Sequence, residues 1–260
     1  MKNRSLIFAT IFIALLTVSA TCEKSKTEPD SNALHVKILS YNIKNCIGMD
    51  GVVDYARVAN VIKRANADIV AVQELDSATQ RSKGVVVLNE LARLTGMFPT
   101  YGASIDYQGG KYGVGVLSKG KPVSWKRIPL PGREEPRSLL IVEMDKFILA
   151  CTHFSLTEED RLASSNIVNN YFKDQTKPVF MAGDLNAVPE STVIKNIGYY
   201  WNILNKTTSP TIPSNNPSKC IDYILAFKTP DRTFVTTRTL VEQEPVASDH
   251  LPVWVEVEVR

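Results

Sequence analysis

The chain of 260 residues is poor in cysteine and histidine, with four and three respectively. No CxxC pair occurs and no cysteine stands at zinc-module spacing, so a structural zinc site has no basis in the sequence. Cys46, Cys151 and Cys220 cannot all pair with one another, so at least one is a free thiol or a partner of Cys22. Cys151, inside an apolar run, reads as a small core residue. Internal repeats and long linkers are also missing, which argues for one folded body. Beyond residue 20 the chain carries 28 basic against 27 acidic side chains, a net of +1. That balance removes the global electrostatic argument for a nucleic-acid partner, although a local patch is not excluded. What is present, 44% hydrophobic and 22% charged residues, is enough for one large core.

Residues 1–20 form a separate segment. Lys2 and Arg4 make a basic start, Leu6 to Val18 is apolar, and Val18 and Ala20 fit a small-x-small cleavage rule. The run is short for a membrane span and matches a signal peptide, so the chain is expected to be exported. Residues 21–34 are read as a polar tether, from Glu23 through Asn32. Cys22 stands where a bacterial lipoprotein carries its lipidated residue. Two outcomes remain: an envelope-anchored lipoprotein, or cleavage after Ala20 and release to the periplasm or medium.

Short β-branched runs bounded by turn residues predict strands at Val36–Tyr41, Ile69–Gln73, Gly113–Leu117, Ser138–Val142, Phe147–Cys151, Val179–Ala182, Ile221–Ala226 and Val253–Val257. Apolar residues at helical spacing predict helices at Tyr55–Ala65, Val86–Leu94 and Glu158–Phe172, the last capped by Thr157. Strands and helices alternate early, whereas Arg137 to Phe154 reads as consecutive strands turning at Asp145-Lys146. The expected architecture is a single α/β sandwich over residues 35–260, two packed mixed sheets with helices on the outer faces.

Polar residues of catalytic type sit where these strands begin or end: Asn42, Glu74, His153, Asp184 with Asn186, and Asp249 with His250. Taken singly, each has an ordinary explanation: a solvated carboxylate, a structural histidine, an Asx turn. Yet both histidines beyond His35 lie at such positions beside carboxylates, and that joint occurrence is informative.

In order along the chain, Ser40-Tyr41-Asn42-Ile43, Gln73-Glu74, Thr152-His153-Phe154, Gly183-Asp184-Leu185-Asn186, Ile221-Asp222-Tyr223-Ile224 and Ser248-Asp249-His250 resemble the motif series of the endonuclease/exonuclease/phosphatase superfamily. The resemblance spans residues 35 to 260 and implies a four-layer sandwich that hydrolyses a phosphoester with Mg²⁺ or Mn²⁺. It implies metal ligation by Glu74, Asn42 and Asp249, hard oxygen donors suited to such an ion. Asp184 would orient or deprotonate the attacking water, and Asn186 would position that water or a phosphate oxygen. His250, oriented by Asp222, and His153 would stabilise the charge that develops on the phosphoryl group. No residue looks like a covalent nucleophile, so in-line water attack is expected. Arg81, Tyr112 and Arg137 are candidate substrate contacts, with structural ion pairs and core packing as the alternatives, and Asp76 is a weaker supporting candidate.

The expected substrate is a small or lipid-linked phosphate ester, handled by a monomer that meets a membrane only through a lipid on Cys22. A secreted nuclease is the second reading, resting on Lys119, Lys121, Lys126, Arg127 and Arg133, for which a solvated hairpin is the simpler account. A catalytically inactive surface binding module is the third.

Overall fold

The computed structural model describes residues 33–260; the signal segment, Cys22 and all but the last two tether residues lie outside the described residues. In chain order the elements are β1 (Leu34–Asn42), α1 (Tyr55–Ala65), β2 (Ile69–Ser77), α2 (Val87–Thr95), β3 (Phe98–Tyr107), β4 (Gly110–Ser118), β5 (Ser124–Leu130) and β6 (Arg137–Glu143). They continue with β7 (Ile148–His153), α3 (Glu158–Phe172), β8 (Val179–Asp184), α4 (Thr192–Tyr200), β9 (Trp201–Ile203), β10 (Asp222–Phe227), β11 (Phe234–Val241) and β12 (Val253–Val259).

Two mixed six-stranded sheets result, ordered β11-β12-β1-β2-β4-β3 and β5-β6-β7-β8-β10-β9. The pairs β1–β2 and β7–β8 are parallel, and the remaining neighbours are antiparallel.

Side-chain alternation sorts the strands into layers. Val36, Ile38, Ile69 and Ala71 from one sheet meet Leu149, Cys151, Phe180, Ala182 and Ile224 from the other in a central core. The opposite faces are also apolar. Leu39, Tyr41, Val70 and Val72 pack under Val58, Ile62, Leu88 and Leu91 of α1 and α2. Ala150, Met181, Tyr223 and Leu225 pack under Val168, Phe172, Val193 and Ile197 of α3 and α4. Central strands covered on both sides explain the nearly continuous apolar runs in the sequence.

α1 and α3 have the expected bounds. Thr157 does precede α3, but its side chain makes no capping bond; its hydroxyl turns to Glu134 Oε2 at 3.3 Å. β2 does not stop at Gln73 but runs on through a bulge to Ser77. The elements not expected from the sequence are β3, the edge strands β5, β9 and β11, and α4, whose start is capped by Ser191 Oγ accepting from Ile194 N at 3.3 Å. β5 is an edge strand with largely exposed side chains and β11 one with mostly half-buried side chains, so no buried period marks them. Cys46, Cys151 and Cys220 are buried free thiols, and Cys151 packs in the central core as expected.

Gly183 shows how tightly β7 and β8 are joined beneath the catalytic-type residues. A Cβ there would lie 2.0 Å from the Thr152 carbonyl oxygen. Gly183→Ala is therefore expected to cost at least about 2 kcal/mol of unfolding free energy, because backbone must shift rather than a flexible side chain. A lower midpoint at unchanged slope in urea unfolding checks this; an unaltered midpoint would show that the two strands can part without loss.

Candidate functional site

The register of the second sheet sets three polar residues side by side. His153 ends β7, opposite Asp184 at the end of β8, which in turn faces Asp222 at the start of β10. All three are at least 90% buried. The first sheet adds Asn42 at the end of β1 and Glu74 on β2. Asp249 and His250 come from the turn leading into β12, beside β1.

Glu74 reaches this place through a β-bulge. Val72 pairs with Gly115 and Leu75 with Gly113, so Gln73 and Glu74 together oppose Val114. Glu74 takes a left-handed φ of 62°, unfavourable for a residue with a Cβ. Such bulges re-aim side chains beside functional sites, and strain of this kind persists only where the surroundings over-determine it. Here Asn42 Nδ2 donates to Glu74 Oε1 at 3.0 Å and to Asp184 Oδ2 at 3.2 Å, bridging the sheets. The Asn42 oxygen accepts from Lys44 N at 3.2 Å, so the amide faces the carboxylates through its nitrogen.

Asp184 is the hub. Its Oδ1 accepts from Asn186 N at 2.9 Å, while Oδ2 lies 3.4 Å from His153 Nε2 and 3.6 Å from His250 Nε2. Asn186, with φ of 48°, spends one amide N–H on the Phe154 carbonyl at 2.9 Å and so ties the loop after β8 to the end of β7. His250 Nδ1 lies 2.9 Å from Asp222 Oδ2. The same oxygen accepts the Thr211 hydroxyl at 2.5 Å, and Asp222 Oδ1 is buried without a partner.

The two histidines are driven apart. Burial pushes His250 down, but Asp222, through charge and hydrogen bond, and then Asp184 and Asp249 outweigh it and raise it to about 10. Burial also pushes His153 down; Arg137 and His250 add to that, Asp184 does not compensate, and it falls to about 4. Near neutrality His250 is an imidazolium and His153 is neutral. Glu74 is raised, first by burial and then by Asp249 and Asp184. Carboxylates crowded to the point of mutual repulsion are the donor set that a hard divalent cation neutralises. Glu74 and Asp249 would hold such an ion; the Asn42 oxygen, expected from the sequence as a third ligand, is instead turned to Lys44 N, and Asn42 meets the carboxylates as a hydrogen-bond donor. Asp184, Asp222 and His250 also bring ligand atoms within 4.8 Å of one another, but His250 already has Asp222 on its Nδ1. That trio reads as an oriented imidazolium between two carboxylates.

The secondary candidates divide. Arg81 forms the structural ion pair: Nε and Nη2 donate to both oxygens of buried Asp76 at 2.9 Å, and Nη2 also to Asn45 Oδ1 at 2.9 Å. Asp76 thus holds Arg81. Tyr112 is in none of the core clusters; it pairs with Tyr107, the rings 6.0 Å apart, with Arg81 near both faces. Its hydroxyl is raised by burial and by Glu74 and Glu135, and Tyr112 stands opposite Asp76 in the β2–β4 pair. Arg137 is 6% exposed and paired with Glu134 and Glu135, and its Nε is buried without a partner. Within the proposed basic stretch, Lys119 is engaged by Asp68 and Arg133 by Asp160.

Four residues that support the site were not among the sequence candidates. Thr211 fixes Asp222; Ser248 donates to the Asn42 carbonyl at 2.7 Å and receives His250 N at 3.3 Å; Ser214 donates to the Ser248 carbonyl at 2.6 Å; Lys44 Nζ lies 3.1 Å from Asp249 Oδ2. Ser248 lies inside the Ser248-Asp249-His250 motif and Lys44 two residues from Asn42, whereas Thr211 and Ser214 stand near no motif.

A family profile described as "Endonuclease/Exonuclease/phosphatase family" matches residues 39–250. Among solved structures, an endonuclease/exonuclease/phosphatase from Beutenbergia cavernae is similar at TM-score 0.71 and 22% identity, over 86% of this chain and 72% of that one. One from Bacteroides vulgatus matches at TM-score 0.71 and 18% identity, over 87% and 100%. A mannosyl-6-phosphatase from Bacteroides thetaiotaomicron matches at TM-score 0.68 and 17% identity, over 85% and 99%. At these identities the likeness is one of fold. No curated protein matches the chain.

The opposed histidine shifts are open to measurement in metal-free protein. Imidazole NMR is expected to show His250 protonated until about pH 10 and His153 neutral down to about pH 4. Because the folded His250 value lies above the unfolded one of about 6.5, its stabilisation is complete below pH 6.5 and fades as pH rises toward 10. Asp222→Asn should move His250 back toward its ordinary range and flatten that decline; two histidines titrating together near 6.5 would contradict this electrostatic account.

Proposed function

The chain belongs to the endonuclease/exonuclease/phosphatase family, whose members are phosphoester hydrolases, and we propose that it is an exported, divalent-metal-dependent phosphoesterase acting on a small or lipid-linked phosphate. The observation that carries the proposal is the Asp184 carboxylate, held between Asn42, His153 and His250 next to Glu74. A bound Mg²⁺ or Mn²⁺ would supply Lewis-acid neutralisation of phosphate oxygens.

Asp184 takes the proton of the attacking water or orients it, its Oδ1 fixed by Asn186 N so that Oδ2 faces the reaction space. His250, an imidazolium backed by Asp222 and Thr211, donates Nε2–H toward a phosphoryl oxygen as charge accumulates there. Neutral His153 provides a hydrogen bond without adding a second full charge. Asn186 has an amide N–H beyond the one spent on Phe154, and it positions water or phosphate oxygen. Because nothing at the site is an activated serine, cysteine or lysine, hydrolysis runs by direct in-line displacement.

A small substrate is supported by the near-neutral charge beyond residue 20 and by the similarity to a structure named as a mannosyl-6-phosphatase. The nuclease reading loses two of its five basic residues, Lys119 and Arg133, to Asp68 and Asp160, and rests on exposed Lys121, Lys126 and Arg127. Export rests on the signal pattern of residues 1–20. Among the described residues no helix is long and apolar enough to cross a membrane.

A substrate panel under Mg²⁺ and under Mn²⁺ tests the proposal: a phosphomonoester, bis-p-nitrophenyl phosphate, inositol phosphates, sphingomyelin and plasmid DNA. Activity on small or lipid esters, abolished by chelation and restored by metal, is the expected result. Glu74→Ala and Asp184→Asn should each lower kcat/KM by about 10³-fold or more with the fold intact by circular dichroism. Full activity of Glu74→Ala, or activity surviving thorough chelation, would refute the mechanism.

A further inference from the structure

The turn that follows Asn42 is strained, and the strain has an outlet at the site. Lys44, Asn45 and Cys46 take φ values of 44°, 53° and 60° in succession, three left-handed residues with no glycine among them. Left-handed backbone disfavours residues with a Cβ, and side chains with a Cβ rarely adopt it as a run. The turn is held from several sides. Lys44 N donates to Asn42 Oδ1 at 3.2 Å, Asn45 Oδ1 accepts from Arg81, itself clamped by Asp76, and Cys46 is buried, with its carbonyl accepting from Asp54 N at 3.0 Å.

The product of this arrangement is the position of one ammonium group. Lys44 Nζ rests 3.1 Å from Asp249 Oδ2, with roughly a third of each side chain exposed. A lysine on an ordinary loop would make such a surface ion pair without strained backbone, for little gain. Here the cation stands beside a carboxylate proposed to bind metal, in a site with four acids, Glu74, Asp184, Asp222 and Asp249, and one imidazolium, His250.

We propose that Lys44 is a phosphate-binding residue of this site, parked on Asp249 in the metal-free chain and in electrostatic competition there with the divalent cation. The inference rests on the metal-dependent phosphoesterase reading above. Occupation of Asp249 by a cation releases the ammonium, which is then a mobile, strongly hydrated point charge within reach of a phosphate oxygen. The two roles pull in opposite directions. Lys44 weakens metal binding, because it repels the ion and occupies its ligand, and strengthens anion binding.

That opposition separates the proposal from a structural role, which would weaken both. In the full chain, Mn²⁺ binding is measured by electron paramagnetic resonance, and inorganic phosphate binding by calorimetry on Mn²⁺-saturated protein. Lys44→Met is expected to bind Mn²⁺ more tightly, by on the order of tenfold, and phosphate more weakly, by a similar factor. KM for the ester should rise more than kcat falls, and Lys44→Arg should restore phosphate binding. Weaker or unchanged Mn²⁺ binding by Lys44→Met, or unchanged phosphate binding, overturns the proposal. Glu74→Ala serves as the control for the underlying reading. If the unsubstituted chain binds no Mn²⁺, or Glu74→Ala binds it as well as the unsubstituted chain, the metal site itself has been misassigned.

Discussion

The Asp184 carboxylate, 2% exposed, is the point on which the site depends. A buried anion costs several kcal/mol unless hydrogen bonds and opposite charge compensate it. Its compensation comes from both sheets: Asn42 from the first, Asn186 and His153 from the second, and His250 from the turn before β12. The sandwich must therefore close for this charge to be tolerated, and once it closes, the groups that tolerate the charge are those that can handle a phosphoryl group. Stability and chemistry are joined at one atom pair.

Around that hub, charge is distributed by the surroundings of each residue rather than by residue type. Two histidines facing the same carboxylate end in opposite protonation states, because His250 alone has a second acid, Asp222, on its other nitrogen. Glu74 is held high by burial and by its acidic neighbours, the condition that a divalent cation relieves. Left-handed backbone occurs there too: Glu74 in a bulge, Asn186 in the loop after β8, and the Lys44–Cys46 turn, while Asn66, Ala78, Lys83 and Gln108 adopt it at a helix end and in turns elsewhere.

The eight expected strands could be read because burial on both faces leaves apolar runs, and the three expected helices because one buried face leaves apolar residues at helical spacing. The edge strands β5 and β11 could not, since neither has a fully buried face to leave an apolar period. α4 stayed hidden because its apolar residues adjoin a second apolar strand, β9. At the site, Asn42, Glu74, His153, Asp184, Asp222 and His250 were legible as polar residues breaking apolar runs. Thr211 and Ser214 were not, because an isolated hydroxyl in a polar loop has no pattern; Ser248 lay within a motif, but its bond to the Asn42 carbonyl was not visible there. Arg81 was visible as a charge, but its commitment to Asp76 was not.

Sequence alone determined the family resemblance, the alternation of strand and helix, and the candidate residues of the site, because each is a property of residue type and order. Tertiary structure decided which groups meet. The matched register of β7, β8 and β10 aligned His153, Asp184 and Asp222, the bulge turned Glu74 inward, and the left-handed turn set Lys44 on Asp249. Protonation followed from those meetings, since a carboxylate or imidazole has its ordinary pKa until burial and neighbouring charge move it.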